Sequence, residues 1–198
     1  MNSGRPLANR VDPFGELHSV AARGAWLGNR GGRFHRDDKT LGARRWASRQ
    51  WIACLCEFKG RKREVWGPGY TELFFLDEPT ALAAGHRPCF ECRREDAVRF
   101  RDALGEGRLS VAEMDARLQE ERLDGRAKRS HRRPVDSLPD GAFIAIEGRA
   151  YVLRGDALFR WSFEGYGPPL PRPLSGDVDA LTPPTMLRAL AAGYATAP

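Results

Sequence analysis

Alternating apolar and polar positions predict β-strands in two parts of the chain. In residues 51–58 (WIACLCEF) every second side chain faces the same way, so Cys54 and Cys56 are expected on one face of a strand. Residues 70–76 (YTELFFL) predict another strand. Three further strands, joined by glycine-containing turns, are predicted over residues 142–146, 150–153 and 158–163. The C-terminal part is therefore expected to form a β-meander.

Helix-capping signals lie between and after these strands. Asp77 is a typical N-cap for a short helix over residues 79–84, and Gly85 is placed to end it. A second helix is expected over residues 93–104. A third is expected over residues 110–123, because Ser-Val-Ala-Glu at its start has the spacing of a capping box. Strands and helices together predict an α+β fold.

The remaining segments contain many turn-forming residues. Residues 1–24 show no periodicity and predict a flexible arm, and a glycine-rich surface loop is expected to follow. Residues 124–134 indicate a basic linker, and GPPLPRP at 167–173 a proline-rich loop. A last helix is expected from Thr182 to Gly193. The predicted units are a basic arm and Gly-rich loop (1–50), a module with following helices (51–123) and a C-terminal β-meander subdomain with a final helix (135–198).

Positive charge is concentrated in the first quarter of the chain. Residues 1–50 contain ten Lys or Arg and four Asp or Glu, and this part accounts for the whole net charge of +6. Such a field attracts polyanions, so a nucleic acid is the expected partner, although a solvated basic arm would have the same composition. Arginines grip phosphates and aromatic rings stack on bases. The predicted nucleic-acid contacts are Arg30, Arg33, Arg44, Arg45, Trp46 and Arg49.

The four cysteines form a C-x-C pair and a C-x-x-C pair, and they are expected to hold one metal ion. Cys54, Cys56, Cys89 and Cys92 supply four sulfurs, which is the ligand set of a closed tetrahedral Zn²⁺ site. Two alternatives remain open. One is a site of three cysteines completed by His86, His35 or a carboxylate, and the other is a metal-free set of small buried residues.

The same cysteines also indicate the cellular compartment of the protein. Thiols so closely grouped favour a metal site over disulfides, which indicates a reducing, cytoplasmic location. No apolar run approaches the roughly 20 residues that a membrane helix needs, so no membrane association is expected.

Residues 81–93 (ALAAGHRPCFECR) carry a resemblance to a known family. A helix ending in Ala-Ala-Gly and followed by Arg-Pro-Cys-x-x-Cys resembles the zinc-binding, methyl-phosphotriester repair domain of the bacterial adaptive-response protein Ada. The resemblance covers residues 51–95. It implies a module of short strands and helices with a four-cysteine zinc site, in which one cysteine accepts a methyl group from DNA. The C-x-C spacing here is shorter than in that family, which favours a structural zinc.

Three classes of function follow from these patterns. The leading one is a zinc-binding, DNA-associated protein with a mainly structural zinc. The second is a nucleic-acid repair or processing enzyme, with a methyl-accepting thiolate or with His35 or Glu164 as its catalytic group. The third is a structural or protein-interaction module. The sequence leaves the oligomeric state open.

Overall fold

The computed structural model describes residues 5–61, 64–107 and 109–196. The predicted units also include residues 1–4, 62–63, 108 and 197–198, which lie outside these ranges. Within the described ranges the protein has the predicted α+β fold, with two six-stranded sheets, a short hairpin and four α-helices. The helices are α1 (Glu78–Ala83), α2 (Arg94–Asp102), α3 (Val111–Arg122) and α4 (Pro184–Ala191).

The first sheet is built from the N-terminal half of the chain. Its strands are β1 (Arg10–Val11), β2 (Leu17–His18), β3 (Trp26–Arg30), β4 (Trp51–Leu55), β5 (Leu73–Phe75) and β6 (Arg87–Pro88). They lie in the order β2-β1-β5-β3-β4-β6, so β3 is central and β6 forms one edge. β4 pairs antiparallel with β3 and parallel with β6.

The second sheet is antiparallel. Four consecutive strands form a meander, and two further strands, one from before the meander in the sequence and one from after it, extend the sheet at one edge. Hairpin β7 (Leu123–Asp124) and β8 (Ala127–Lys128) connects α3 to it. The strands of this sheet are β9 (His131–Pro134), β10 (Phe143–Ile146), β11 (Arg149–Arg154), β12 (Ala157–Ser162), β13 (Gly165–Pro171) and β14 (Asp177–Ala180). Their order is β13-β12-β11-β10-β14-β9, which confirms the three predicted meander strands and adds β9, β13 and β14.

Helix α1 lies between the two sheets and is entirely buried. Ala81 packs with the core of the first sheet, whereas Ala83 packs with Phe143 and Val152 of the second. Leu82 belongs to a third apolar cluster that joins α2, α3 and α4. The predicted cap is confirmed, because the Asp77 carboxylate accepts a hydrogen bond from the Thr80 amide. The helix thus contributes to three of the apolar clusters of the core.

The glycine-rich segment is not the surface loop expected from its composition. Its residues Trp26–Arg30 form the fully buried central strand β3. A side chain at Gly28 would place a Cβ atom 2.6 Å from the Ile52 carbonyl oxygen and 2.6 Å from the Phe75 ring. Glycine here allows close packing between strands rather than loop flexibility. Likewise, the expected flexible arm contributes β1 and β2, and Val11 is buried in the core.

Two further segments expected to be irregular are edge strands. Strand β13 includes residues 167–171 of the expected proline-rich loop, and β9 lies within the expected basic linker. Each of the two strands lies at one edge of the second sheet. Proline has no amide hydrogen to donate, but an edge strand needs donors on one side only. No helix in the described part of the chain is both long enough and apolar enough to cross a bilayer.

Candidate metal centre

Strand β4 places Cys54 in the interior of the first sheet. Cys54 lies directly opposite Leu27 in the antiparallel pair of β3 and β4. Side chains of opposite residues share a face, and both residues belong to one buried cluster with Cys89. Trp51 and Ala53 face the other side of the sheet, as alternation along a strand requires.

Parallel pairing of β4 with β6 brings Cys89 to Cys54. Ala53 is paired with Pro88, and the amide of Cys89 donates a hydrogen bond of 3.0 Å to the Ala53 carbonyl. The chain reaches this position because Gly85, with φ +85°, ends α1 in the left-handed conformation. The predicted helix stop is confirmed.

A tight turn then returns Cys92 to the same place. The amide of Arg93 donates to the Cys89 carbonyl at 3.0 Å, which closes the turn around residues 89–93. Inside it, the amide of Glu91 points at the Cys89 sulfur, with N and Sγ 3.4 Å apart. An amide hydrogen on a sulfur stabilises the thiolate form that binds metals.

The Sγ atoms of Cys54, Cys89 and Cys92 all lie within 4.8 Å of one another. Sulfurs on a tetrahedral zinc ion, with Zn–S bonds of about 2.3 Å, are about 3.8 Å apart. The three side chains therefore need little movement to bind one ion. Three soft sulfur donors with this spacing fit a metal site, and they would hold the ion against the face of the first sheet.

The three thiols form one coupled acid–base group. Hydrogen bonds from Cys54 and Cys92 lower the pKa of Cys89 well below its ordinary value. The pKa of Cys54 is raised, first by its hydrogen bond to Cys89, then by its hydrogen bond to Cys92 and by burial. A metal ion would replace the shared protons, so binding releases protons to solvent.

Cys56 lies apart from the other three cysteines. Strand β4 ends at Leu55, earlier than the alternating pattern predicts, so Cys54 and Cys56 do not share one strand face. Cys56 is exposed, and its thiol donates to the Ala25 carbonyl at 3.2 Å. The structure therefore groups three of the four predicted ligands and does not support Cys56 as the fourth.

The two histidines named as alternative ligands also lie elsewhere. His86 is fully buried between Trp51 and Phe75, and its Nε2 accepts a hydrogen bond from Arg30 Nε at 3.2 Å. His35 is stacked on a tryptophan ring, and its Nδ1 is 2.8 Å from the Thr71 hydroxyl. Neither belongs to the cysteine cluster.

One side of the cysteine cluster faces a surface pocket. Half-buried Cys92 lines it together with Leu55, Glu91, Arg94 and Glu95. Glu91 is already engaged, because it accepts a hydrogen bond from Arg61 at 2.6 Å. A site with three protein ligands and an exposed fourth position admits water or an incoming ligand.

The predicted nucleic-acid contacts separate into buried and exposed residues. Arg30 is only 2% exposed, so its guanidinium is not part of the exposed surface that Arg44, Arg45 and Arg49 form. Arg33 pairs with Asp37. Arg44 and Arg45 are exposed and line one shallow pocket with half-buried Trp46, and Arg49 is exposed as well.

Sequence reasoning missed three cations that lie near this surface. Arg126, in the turn of the β7–β8 hairpin, lines the same shallow pocket as Arg44 and Arg45. Arg122 at the end of α3 and Lys128 in β8 lie deeper. The basic composition of residues 124–134 was a visible signal, but it indicated a linker and not the side of a pocket.

The two residues considered for catalysis do not form a joint site. His35 is buried beside Thr71, as described above, and Glu164 is exposed in the turn between β12 and β13. His35 lies in the segment between β3 and β4 of the first sheet, whereas Glu164 lies in a turn of the second sheet.

Comparison with known proteins returned no match, whether against protein-family models, curated proteins or solved structures.

Proposed function

We propose that this chain is a zinc-binding, nucleic-acid-associated protein, with DNA as the expected partner and with zinc in a mainly structural role. The observation that carries the proposal is the grouping of the Cys54, Cys89 and Cys92 sulfurs within 4.8 Å. These ligands come from β4 and from the segment after β6, so an ion bound there would fasten the edge of the first sheet. Such a site belongs in a reducing compartment, where thiols persist.

The nucleic-acid part of the proposal rests on the exposed cations. Arg44, Arg45 and Arg126 surround Trp46, and they come from two segments distant in sequence. Guanidinium groups bind phosphates through paired hydrogen bonds, and a tryptophan face can stack on an unpaired base. This arrangement favours a single-stranded or locally opened strand.

The test is binding of the zinc-loaded protein to a fluorescent single-stranded DNA over a range of salt concentrations. Affinity is expected to fall steeply as salt rises, because phosphate contacts release counterions. Replacing Arg44, Arg45 and Arg126 by alanine should weaken binding at least tenfold and flatten the salt slope. Exposed Arg149, Arg154 and Arg160 on the second sheet supply the charge-matched control. Equal losses in the two triple variants would reject this surface.

A methyl-accepting thiolate is a second candidate function, favoured by the exposure of Cys92 to a surface pocket. In that reaction a metal-bound thiolate attacks the methyl carbon of a DNA phosphotriester. An S–C bond forms, the O–C bond breaks, and the phosphodiester anion leaves. Intact-mass measurement after exposure to methylated-phosphate DNA should show a gain of one methyl group on a cysteine of the cluster. An unchanged mass in a protein that holds one zinc would reject methyl transfer, and only the structural role of the zinc would remain.

A further inference from the structure

A second cluster of functional groups lies on the opposite face of β4. Trp51, at the start of that strand, has the guanidinium carbons of Arg30 and Arg122 at 4.0 and 4.1 Å from its ring centre. Both arginines line a narrow pocket with Gly15, Arg45 and Lys128. The pocket thus combines five basic side chains, the fifth being Arg126, with the Trp51 ring that two of them contact.

The deepest of these cations are removed from water. Arg30 is 2% exposed and Arg122 is fully buried, and the ammonium nitrogen of Lys128 is buried as well. Arg122 Nε and Lys128 Nζ have no hydrogen-bond partner among the residues that the structure describes. A buried cation without a partner is costly, and such groups are normally paired with an anion.

The hydrogen bonds that these arginines do make are to neutral groups. Arg30 donates to the Gly15 carbonyl at 2.8 Å, and Arg122 donates to the Gly85 carbonyl at 2.9 Å. Over residues 5–61, 64–107 and 109–196, no carboxylate lies within 4 Å of the cationic nitrogens of Arg30, Arg122 or Lys128. The acidic residue that lines the pocket is the exposed Glu16.

Two other buried arginines provide an internal comparison. Arg87 makes a two-pronged ion pair with Asp115, at 2.7 and 2.8 Å, and Arg93 pairs with Glu78 at 2.7 Å. Where this fold buries arginines for structure alone, it supplies a carboxylate. Among the described residues the cations around Trp51 have no such contact, and Asp12 and Glu16 act on Arg30 only from beyond ion-pair distance. An anion from outside the chain would supply the missing contact.

Burial also opposes the charged forms of these groups. Loss of water, with the neighbouring charges of Arg122 and Arg30 adding to it, lowers the pKa of Lys128 to about 7. The pKa of Arg30 falls to about 9, with burial again the main cause. An anion in the pocket would reverse these effects and restore full charge.

The size of the pocket limits the anion. Its free interior is about 20 Å³, enough for a group of the size of a water molecule. One or two oxygens of a phosphate could enter, with the rest of the ligand remaining at the opening beside exposed Arg45 and Arg126. A terminal phosphate group fits this arrangement, whereas an internal phosphodiester carries chain on both sides. Trp46 at the same opening offers a ring for stacking.

We propose that the pocket formed by Arg30, Arg45, Arg122 and Lys128 against Trp51 binds the oxyanion of a terminal phosphate group. The paired nitrogens of each guanidinium suit phosphate oxygens, and the lysine adds a compact third charge. This site is separate from the cysteine cluster, and it shares Arg45, Trp46 and Arg126 with the proposed nucleic-acid surface. Titration with inorganic phosphate tests the pocket without a nucleic acid.

The test is titration of the zinc-loaded protein with inorganic phosphate at constant ionic strength, followed by thermal unfolding and calorimetry. Phosphate should raise the midpoint of unfolding, since it binds the folded state, whereas equivalent chloride should not. Lys128→Met should fold, because it replaces an unpartnered buried ammonium with an apolar chain, and should bind phosphate at least tenfold more weakly. Lys59→Met, at an exposed position, is the matched control and should bind normally.

A second variant keeps the test decisive if Lys128→Met unfolds. Arg126→Ala removes an exposed side chain at the opening and should weaken phosphate binding several-fold. The proposal is overturned if phosphate stabilises no more than chloride, or if the pocket variants respond as the control does. Zinc content measured in the same samples separates this result from failure of the metal site.

Two ligands then identify the source of the phosphate. A 5′-phosphorylated single-stranded oligonucleotide is compared with the same oligonucleotide lacking the phosphate. If the phosphate increases affinity and Lys128→Met abolishes that increase, the pocket binds strand ends. If only free phosphate and mononucleotides compete, the pocket binds a small phosphorylated molecule, and the phosphate site itself stands in both cases.

Discussion

The sulfur atoms of Cys54 and Cys89 lie within 4.8 Å of each other although the whole of β5 and α1 separates them in the sequence. A hydrogen bond between the amide of Cys89 and the carbonyl preceding Cys54 fixes this approach. The cysteine cluster is therefore a product of tertiary strand pairing, and only its Cys89–Cys92 half is local in sequence.

Serine substitution of single cysteines is expected to divide them into two groups. Cys54→Ser, Cys89→Ser and Cys92→Ser should each lower zinc affinity at least tenfold, because each removes a direct ligand. Cys56→Ser should keep one zinc per chain, because its sulfur lies apart from the cluster. Metal content by mass spectrometry, with a competing chelator, measures both effects. Loss of zinc from Cys56→Ser equal to that from Cys54→Ser would mean that Cys56 moves in to complete the site.

Asp115→Ala is expected to be strongly destabilising. Asp115 and Arg87 are each 4% exposed and form two short hydrogen bonds, so removing the carboxylate leaves a buried unpaired cation. The expected loss is about 3–5 kcal/mol of unfolding free energy. Asp124→Ala, at an exposed position 3.8 Å from Arg129, should change the free energy by less than about 1 kcal/mol. Urea unfolding of both variants measures the two losses in unfolding free energy. A loss for Asp115→Ala as small as that for Asp124→Ala would contradict the assignment of a buried ion pair to Asp115 and Arg87.

The carboxylate of Glu106 is expected to make stability depend on acid pH. It accepts hydrogen bonds from Arg117 of α3 and ion-pairs with Arg188 of α4, at 2.6 and 2.7 Å, and these contacts lower its pKa from 4.5 to about 2. A lowered carboxyl pKa stabilises the fold above the unfolded value, and the stabilisation is lost as the pH falls toward about 2.

Glu106→Gln should therefore unfold at lower urea concentration than the wild type at pH 6. The two proteins should converge as the pH approaches about 2. Glu120→Gln, at an exposed position of α3, serves as the control. A difference between Glu106→Gln and the wild type that stays constant from pH 6 to pH 3 would show that its cause is not this charge.

Local signals in the sequence were sufficient for the helices. Asp77 caps α1, and Ser110 with Glu113 forms the capping box of α3, both as predicted, because a cap depends on residues three apart. The alternating patterns of β10, β11 and β12 were equally readable. These elements can be predicted without knowing which other elements they pack against.

The sequence was less informative where a neighbour decides the structure. Gly28 resembles a loop residue until Phe75 and Ile52 are seen to leave no room for a side chain. The prolines of β13 are compatible with a strand only because that strand lies at an edge. For the metal site, the end of β4 at Leu55 separates Cys54 from Cys56, and alternation alone does not reveal where a strand stops.

The parallel pairing of β4 with β6 also has a consequence for folding kinetics. Two-residue β6 is an edge strand, and it can dock only after the chain between the two strands has closed a long loop. We expect contacts of such high contact order to form late, after the transition state. An ion held by Cys54, Cys89 and Cys92 would therefore slow the unfolding rate far more than it speeds folding. Zinc in this protein is therefore expected to increase kinetic stability by slowing unfolding, and not to nucleate folding.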